Sequence, residues 1–173
     1  MKESLKLGLF LAIVSAIAAL SLSLTYTITS EKIAKARKAE LNQALQTVLP
    51  QADSFSEKGQ GVFLGLKQNK VIGFCAKVGT KGYSGPIEMI VGTDLSGKVT
   101  GVQILLMTET PGLGLNASAP SFLNQFIGKT SGNKIMPKDD IVALTGATIT
   151  SNAVALGVKE ALQMFIENKE LLK

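Results

Sequence analysis

"IEMIVGTDLSGKVTGVQILLM", residues 87 to 107, is the stretch on which the fold turns. Two runs rich in Ile, Val and Met flank "LSGK", residues 95 to 98, a turn composition. Val102, Ile104 and Leu106 recur at every second position and so share one face of the later run. Period two around a Gly-containing turn predicts a β-hairpin. Just upstream, "VFLGLK" (62–67) and "VIGFCAKV" (71–78) are parted by Gln68-Asn69-Lys70 and predict a second hairpin. Ile72, Phe74, Ala76 and Val78 share a face of its second strand. "GTKGYSGP" (79–86) is a turn cluster. No helical segment separates these strands, so the expectation is an α+β fold with an antiparallel sheet, not a doubly wound one.

On the C-terminal side the pattern breaks. "TETPGLGLN" (108–116) places Pro111, Gly112 and Gly114 within four residues, which forces an irregular loop. "APSFLNQFIG" (119–128) suggests a short helix and "KTSGNKIMPKDD" (129–140) a polar loop, with Asp139-Asp140 as a solvated turn. Asn152 to Leu172 predicts an amphipathic helix with Val154, Val158, Leu162, Phe165 and Ile166 facing inward.

On the N-terminal side, Leu7 to Ser30 contains no charged residue. As a helix these residues span roughly 36 Å, more than the apolar core of a bilayer. A cleaved signal peptide is the alternative, with Ala16-Ile17-Ala18 as its cleavage site, but the apolar run continues through Leu20, Leu22, Leu24 and Ile28. The expected division is a tail (1–6), a transmembrane anchor (7–30), a juxtamembrane helix (31–50) and a C-terminal domain (51–173). Thr29 or Ser30 would cap the juxtamembrane helix and Pro50 would end it.

The net charge is +5, and the first 48 residues hold six Lys or Arg against three acids. The basic excess therefore lies in "KIAKARKAE" beside the anchor, which suits anionic headgroups better than nucleic acid. There is no His and a single Cys, Cys75, which reads as a small apolar residue. Structural zinc, iron–sulfur clusters, haem ligated by His or Cys, and catalytic triads built on His are thereby excluded. Asp139-Asp140 lacks a nearby third carboxylate for a metal site. No G-x-G-x-x-G nicotinamide fingerprint occurs.

Immediately before the last helix lies "TGATITS", residues 145 to 151. Four of its residues are hydroxylic: Thr145, Thr148, Thr150 and Ser151. A helix N-terminus offers unpaired N–H groups and a positive dipole end, an anion site. Gly146 and Ala147 leave room for a ligand, and Thr150 or Ser151 could act as helix cap and as phosphate donor. A plain capped helix remains the alternative. A second Gly-rich segment, "ETPGLG" (109–114), belongs to no strand or helix. Tyr83 in "KGYSGPI" reads as a half-buried residue of a strand-entry turn.

"TGATITS" resembles the [S/T]-G-A-[T/S]-x-[T/S] flavinylation motif of the FMN-binding domains in the Rnf and Na⁺-pumping NADH:quinone oxidoreductase complexes. "GYSGPIEMIVGTD", "GKVTGVQIL" and "ETPGLG" follow that family's order, and the apolar N-terminus matches as well. The chain's length favours the Rnf branch, because the quinone-reductase counterpart is considerably longer. The resemblance implies covalent FMN, joined through its phosphate to Thr148, with Thr145, Gly146, Ala147, Thr150 and Ser151 around the phosphate. It implies that Glu109, Thr110, Pro111, Gly112, Leu113 and Gly114 form the flavin-ring loop, Leu113 covering the ring and Glu109 hydrogen-bonding to it. A flavin transferase would make the bond, and the other Rnf subunits and the bilayer would be partners. The implied role is electron relay between ferredoxin and NAD⁺ within an ion-translocating complex, with no complete active site in this chain. The family often carries an acid where this chain has Val142. Counting Lys and Arg about the anchor puts the C-terminal domain in the cytoplasm; the family places it outside the cytoplasmic (inner) membrane, and that placement is the expectation adopted. A membrane-anchored binding module without redox function is the alternative from another class.

Overall fold

The structure is a computed structural model that describes residues 2–59 and 61–172. Met1, within the expected tail, and Gln60 and Lys173, within the expected domain, lie outside the described residues. Two compact units are present, Met1–Glu40 and Leu41–Lys173.

The first helix, α1, runs Lys2–Val48 without interruption. No new helix starts at Thr29 or Ser30, so neither is a cap; the Ser30 hydroxyl donates to the Thr27 carbonyl instead. Ser21, Thr25 and Thr27 likewise donate to carbonyls four residues back, which satisfies their hydroxyls within the helix itself. This is one helix long and apolar enough to cross a membrane. It stops at Val48, two residues before Pro50, which cannot donate to a continuing helix.

Five antiparallel strands follow in sequence order: β1 (Ser54–Gly59), β2 (Val62–Lys67), β3 (Lys70–Lys81), β4 (Pro86–Asp94) and β5 (Val99–Met107). Both predicted hairpins are present. Gln68 and Asn69 both have positive φ, the backbone of a tight two-residue hairpin turn. Strand β1 had no signal in the sequence, because "SFSEKG" is an edge strand whose one apolar side chain is Phe55.

Both faces of the sheet are covered. One carries Val62, Leu64, Phe74, Val78, Met89, Val91 and Val102, packed against helix α3 (Thr148–Glu167) and the short helix α2 (Pro120–Leu123). Phe74 meets Phe165 of α3 edge to face, ring centroids 5.7 Å apart. Each fully buried Val, Leu or Phe contributes about 1.5–3 kcal/mol by leaving water. The other face, with Phe63, Cys75 and Ile90, receives Ala44, Leu45, Val48 and Leu49. Glycines permit that approach. A Cβ at Gly92 would lie 2.7 Å from the Val48 carbonyl oxygen, and one at Gly101 2.9 Å from the Val48 Cα. Thr100 donates its hydroxyl to the same carbonyl at 2.6 Å.

Two predicted faces need correction. Ile72 packs on the α1 side with Cys75, and Val71 takes its place beside Phe74. Leu106 is 45% exposed, while Met107 packs into the α3-side core. Both follow from register breaks, between Gly65 and Leu66 on β2 and between Glu88 and Met89 on β4, each leaving one extra residue on the partner strand. A one-residue shift sends every later side chain to the opposite face. Helix α3 begins four residues earlier than expected and ends at Glu167, a 3₁₀ turn following over Lys169–Leu172. Val154, Val158, Leu162 and Phe165 face inward as expected, whereas Ile166 is 45% exposed.

The loop between α2 and α3 is more constrained than a solvated turn. Asp140 accepts the Met136 N–H at 2.9 Å and the Lys129 ammonium at 2.9 Å; Asp139 pairs with Lys134. These partners, the backbone N–H first, lower the Asp140 carboxyl to about 2. The unfolded value is about 3.9. A depressed folded value contributes stability above pH ~4, and that contribution is lost as pH falls towards 2. Asp140→Asn is therefore expected to lower the urea midpoint at pH 7. The gap from the unsubstituted chain should narrow across that acid window; a gap that stays constant down to pH 2 would contradict the assignment.

Candidate functional site

Three segments distant in sequence converge at one end of the sheet. The β3–β4 turn, Gly82 to Gly85, closes with the Gly82 N–H donating to the Gly85 carbonyl at 2.8 Å. The loop after β5 carries "TETPGLG". The turn before α3 carries "TGAT". Between them lies a cleft of about 440 Å³, within the range of small-molecule sites.

Of the residues singled out in the sequence, Glu109, Thr110, Leu113, Gly114, Gly146, Ala147, Thr148 and Thr150 line this cleft. Pro111, Gly112, Thr145 and Ser151 are not among its lining residues. Tyr83 does line it and is 71% exposed, not half buried, because its turn projects past the sheet edge. Ile149, which no pattern singled out, lines it too and is 54% exposed. A side chain facing outward on a helix's first turn carries no period that would mark it.

The four hydroxyls have separate fates. Thr148 opens α3 and is exposed. The first bond of that helix runs from the Ser151 N–H to the Ala147 carbonyl at 3.0 Å. The N–H groups of Thr148, Ile149 and Thr150 therefore stand at the open, positive end of α3. Thr150 and Ser151 are 1% and 0% exposed. Neither is the cap, a position taken by Ala147, which has no side-chain acceptor. Thr150 donates to Glu109 Oε2 at 2.8 Å. Ser151 donates to the Ala147 carbonyl at 2.9 Å and accepts the Leu144 N–H at 3.0 Å. These two hydroxyls are spent on holding the turn, so the reading of them as cap and phosphate donor gives way to one of internal support. Thr145 is exposed.

The two glycine-bearing segments touch. Gly146 has φ +74°, a conformation side chains rarely adopt, and a Cβ there would lie 3.1 Å from Leu113 Cδ2. Leu113, itself 46% exposed, thus leans over the turn that presents Thr148. Glu109 is buried, 6% exposed, and besides Thr150 it accepts the Ser84 N–H at 3.1 Å. Val142 is 76% exposed, and its backbone is held on both sides by the Gln125 amide. Cys75, fully buried on the α1 face, has its thiol pushed up to about 12 by burial. Among the described residues no group of His, Cys, Asp and Glu could hold a metal ion.

The cleft suits a phosphorylated planar ligand. It joins a helix end rich in free N–H groups to an apolar wall of Leu113, Ile149 and Tyr83. A planar ring needs such a wall and a phosphate needs such an end.

Comparison with known proteins points the same way. Residues 82–163 match the FMN-binding domain, and residues 1–48 match the RnfG N-terminal region. The RnfG-type protein of the Na⁺-translocating ferredoxin:NAD⁺ oxidoreductase complex of Acetobacterium woodii is 34% identical, over 95% of this chain and 92% of that protein. Its counterpart in the proton-translocating ferredoxin:NAD⁺ oxidoreductase complex of Clostridium ljungdahlii is 37% identical, over 88% of this chain and 86% of that protein. The fold is shared with the crystal structure of Shewanella oneidensis NqrC, with a TM-score of 0.53 at 19% identity, over 71% of this chain and 73% of that one. With matches this extensive at both ends of the chain, it belongs to the RnfG family of ion-translocating ferredoxin:NAD⁺ oxidoreductase complexes and carries that family's FMN-binding domain.

Proposed function

We propose that this chain is a membrane-anchored electron carrier that holds FMN covalently on Thr148 and relays electrons inside an Rnf complex. The observation that carries the reading is the exposed Thr148 hydroxyl at the open end of α3, on the wall of the cleft. The linkage is a phosphoester: the Thr148 Oγ1–P bond forms as the hydroxyl loses its proton. Condensation with free FMN would have to expel water into water, so the donor is an activated flavin nucleotide. A flavin dinucleotide meets that need, its pyrophosphate bond breaking and a mononucleotide leaving. A separate transferase catalyses the step. The resulting diester keeps one negative charge, which the N–H groups and dipole of α3 stabilise.

Bound FMN supplies one- or two-electron chemistry. This chain's residues orient it: Leu113 and Tyr83 flank the ring, and the 109–114 loop borders its polar edge. The tether keeps the carrier at high local concentration beside neighbouring redox centres. The same assembly as in the named relatives provides the partners, the other subunits of the complex, with electrons passing between ferredoxin and NAD⁺. Those relatives' names specify sodium in one case and protons in the other, so membership alone leaves the coupling ion open.

In this reading residues 1–6 are a tail, 7–30 the anchor, 31–50 a juxtamembrane stalk and 51–173 the flavin domain, which lies outside the cytoplasmic membrane. Topology is directly testable because the native thiol is silent: Cys75 is buried, and a thiol held up to about 12 forms almost no thiolate at neutral pH. An exposed cysteine introduced as Ser131→Cys should label with a membrane-impermeant maleimide in intact cells. Labelling that requires lysis places the domain in the cytoplasm instead.

A further inference from the structure

Glu109 is a buried carboxylate with an unusual set of attachments. Its Oε2 accepts the Thr150 hydroxyl at 2.8 Å across 41 positions of sequence, and its Oε1 accepts the Ser84 N–H at 3.1 Å across 25. Glycines make its space. A Cβ at Gly114 would lie 2.6 Å from Oε2 and 2.8 Å from Thr150 Oγ1, and a Cβ at Gly82 would overlap Oε1. One carboxylate thus ties all three walls of the cleft: the β3–β4 turn, the loop after β5 and the first turn of α3.

That tie acts where the helix is weakest. Ala147 sits at the cap position without a side-chain acceptor, so α3 lacks the bond that ordinarily holds a first turn. The Glu109–Thr150 bond replaces it from across the cleft. A negative group beside the positive end of α3 is also electrostatically favourable.

We infer that Glu109 is a positioning residue for Thr148. By fixing Thr150, two residues on, its carboxylate sets the first turn of α3 so that the Thr148 hydroxyl is presented on the cleft wall for attachment. This rests on the proposed linkage at Thr148.

The test is the rate of flavin attachment to the full chain in the presence of its transferase, read by intact mass and normalised to folded protein. Glu109→Ala and Thr150→Val should slow attachment roughly tenfold to a hundredfold, the scale of a small misplacement of a reacting group. Thr150→Ser, which keeps the donor, should restore most of the rate. Gly114→Ala keeps every hydrogen-bonding group but takes the carboxylate's space, and should slow attachment as well. A merely structural role would lower the melting temperature of these variants and leave the rate per folded molecule unchanged; that result overturns the proposal. If the unsubstituted chain gains no mass, the attachment reading fails first, and this inference fails with it.

Discussion

Thr148→Ala is expected to remove covalent flavin entirely. Purified after coexpression with the transferase and then denatured, the variant should be colourless, non-fluorescent and of the mass of its bare sequence. The unsubstituted chain should carry one FMN, less the water lost in forming the ester. Thr148→Ser retains an oxygen in the same place and should remain largely modified. The comparison is clean because little else depends on this side chain. Thr148 is exposed, and its hydroxyl supports no cap bond. Surface substitutions of that kind usually change stability by about half a kcal/mol or less. Flavin retained by Thr148→Ala after denaturation would move the attachment point elsewhere and undo the proposed function.

Phe74→Ala should cost the fold about 3–5 kcal/mol, the range for deleting a buried phenyl ring. Phe74 is 0% exposed at the centre of β3, and its ring meets Phe165 edge to face. The cavity would open where α3 is pressed onto the sheet, and neighbouring side chains already packed at interior density could close it only in part. Urea unfolding followed by circular dichroism gives the measurement. A loss below about 1 kcal/mol would mean that the site had collapsed, or that α3 is held mainly from its ends. The consequence reaches function, since α3 is the element that presents Thr148.

Strand and helix identities were legible along the chain because they rest on local periodicity. Alternation in residues 87–107 specified a hairpin, and the stripe of Val154, Val158, Leu162 and Phe165 specified the buried side of the last helix. The polar edge strand β1 was illegible for the same reason: a strand that buries one apolar side chain leaves no period to detect. Ile72 and Leu106 were misplaced because an extra residue opposite the partner strand reverses the alternation, and that depends on pairing with another strand.

The site divides along the same line. Hydroxyls, small residues and a following helix were enough, within seven consecutive positions, to mark residues 145 to 151 as a phosphate-binding turn, and the ordered motifs marked the family. The roles within the cluster came from contacts between distant segments. Thr148 is left free while Thr150 turns inward to a carboxylate 41 positions away, a bond that exists because the chain closes a sheet between them. Composition and spacing register chemistry that a segment carries within itself; which of several like groups faces the ligand is settled by what packs behind them.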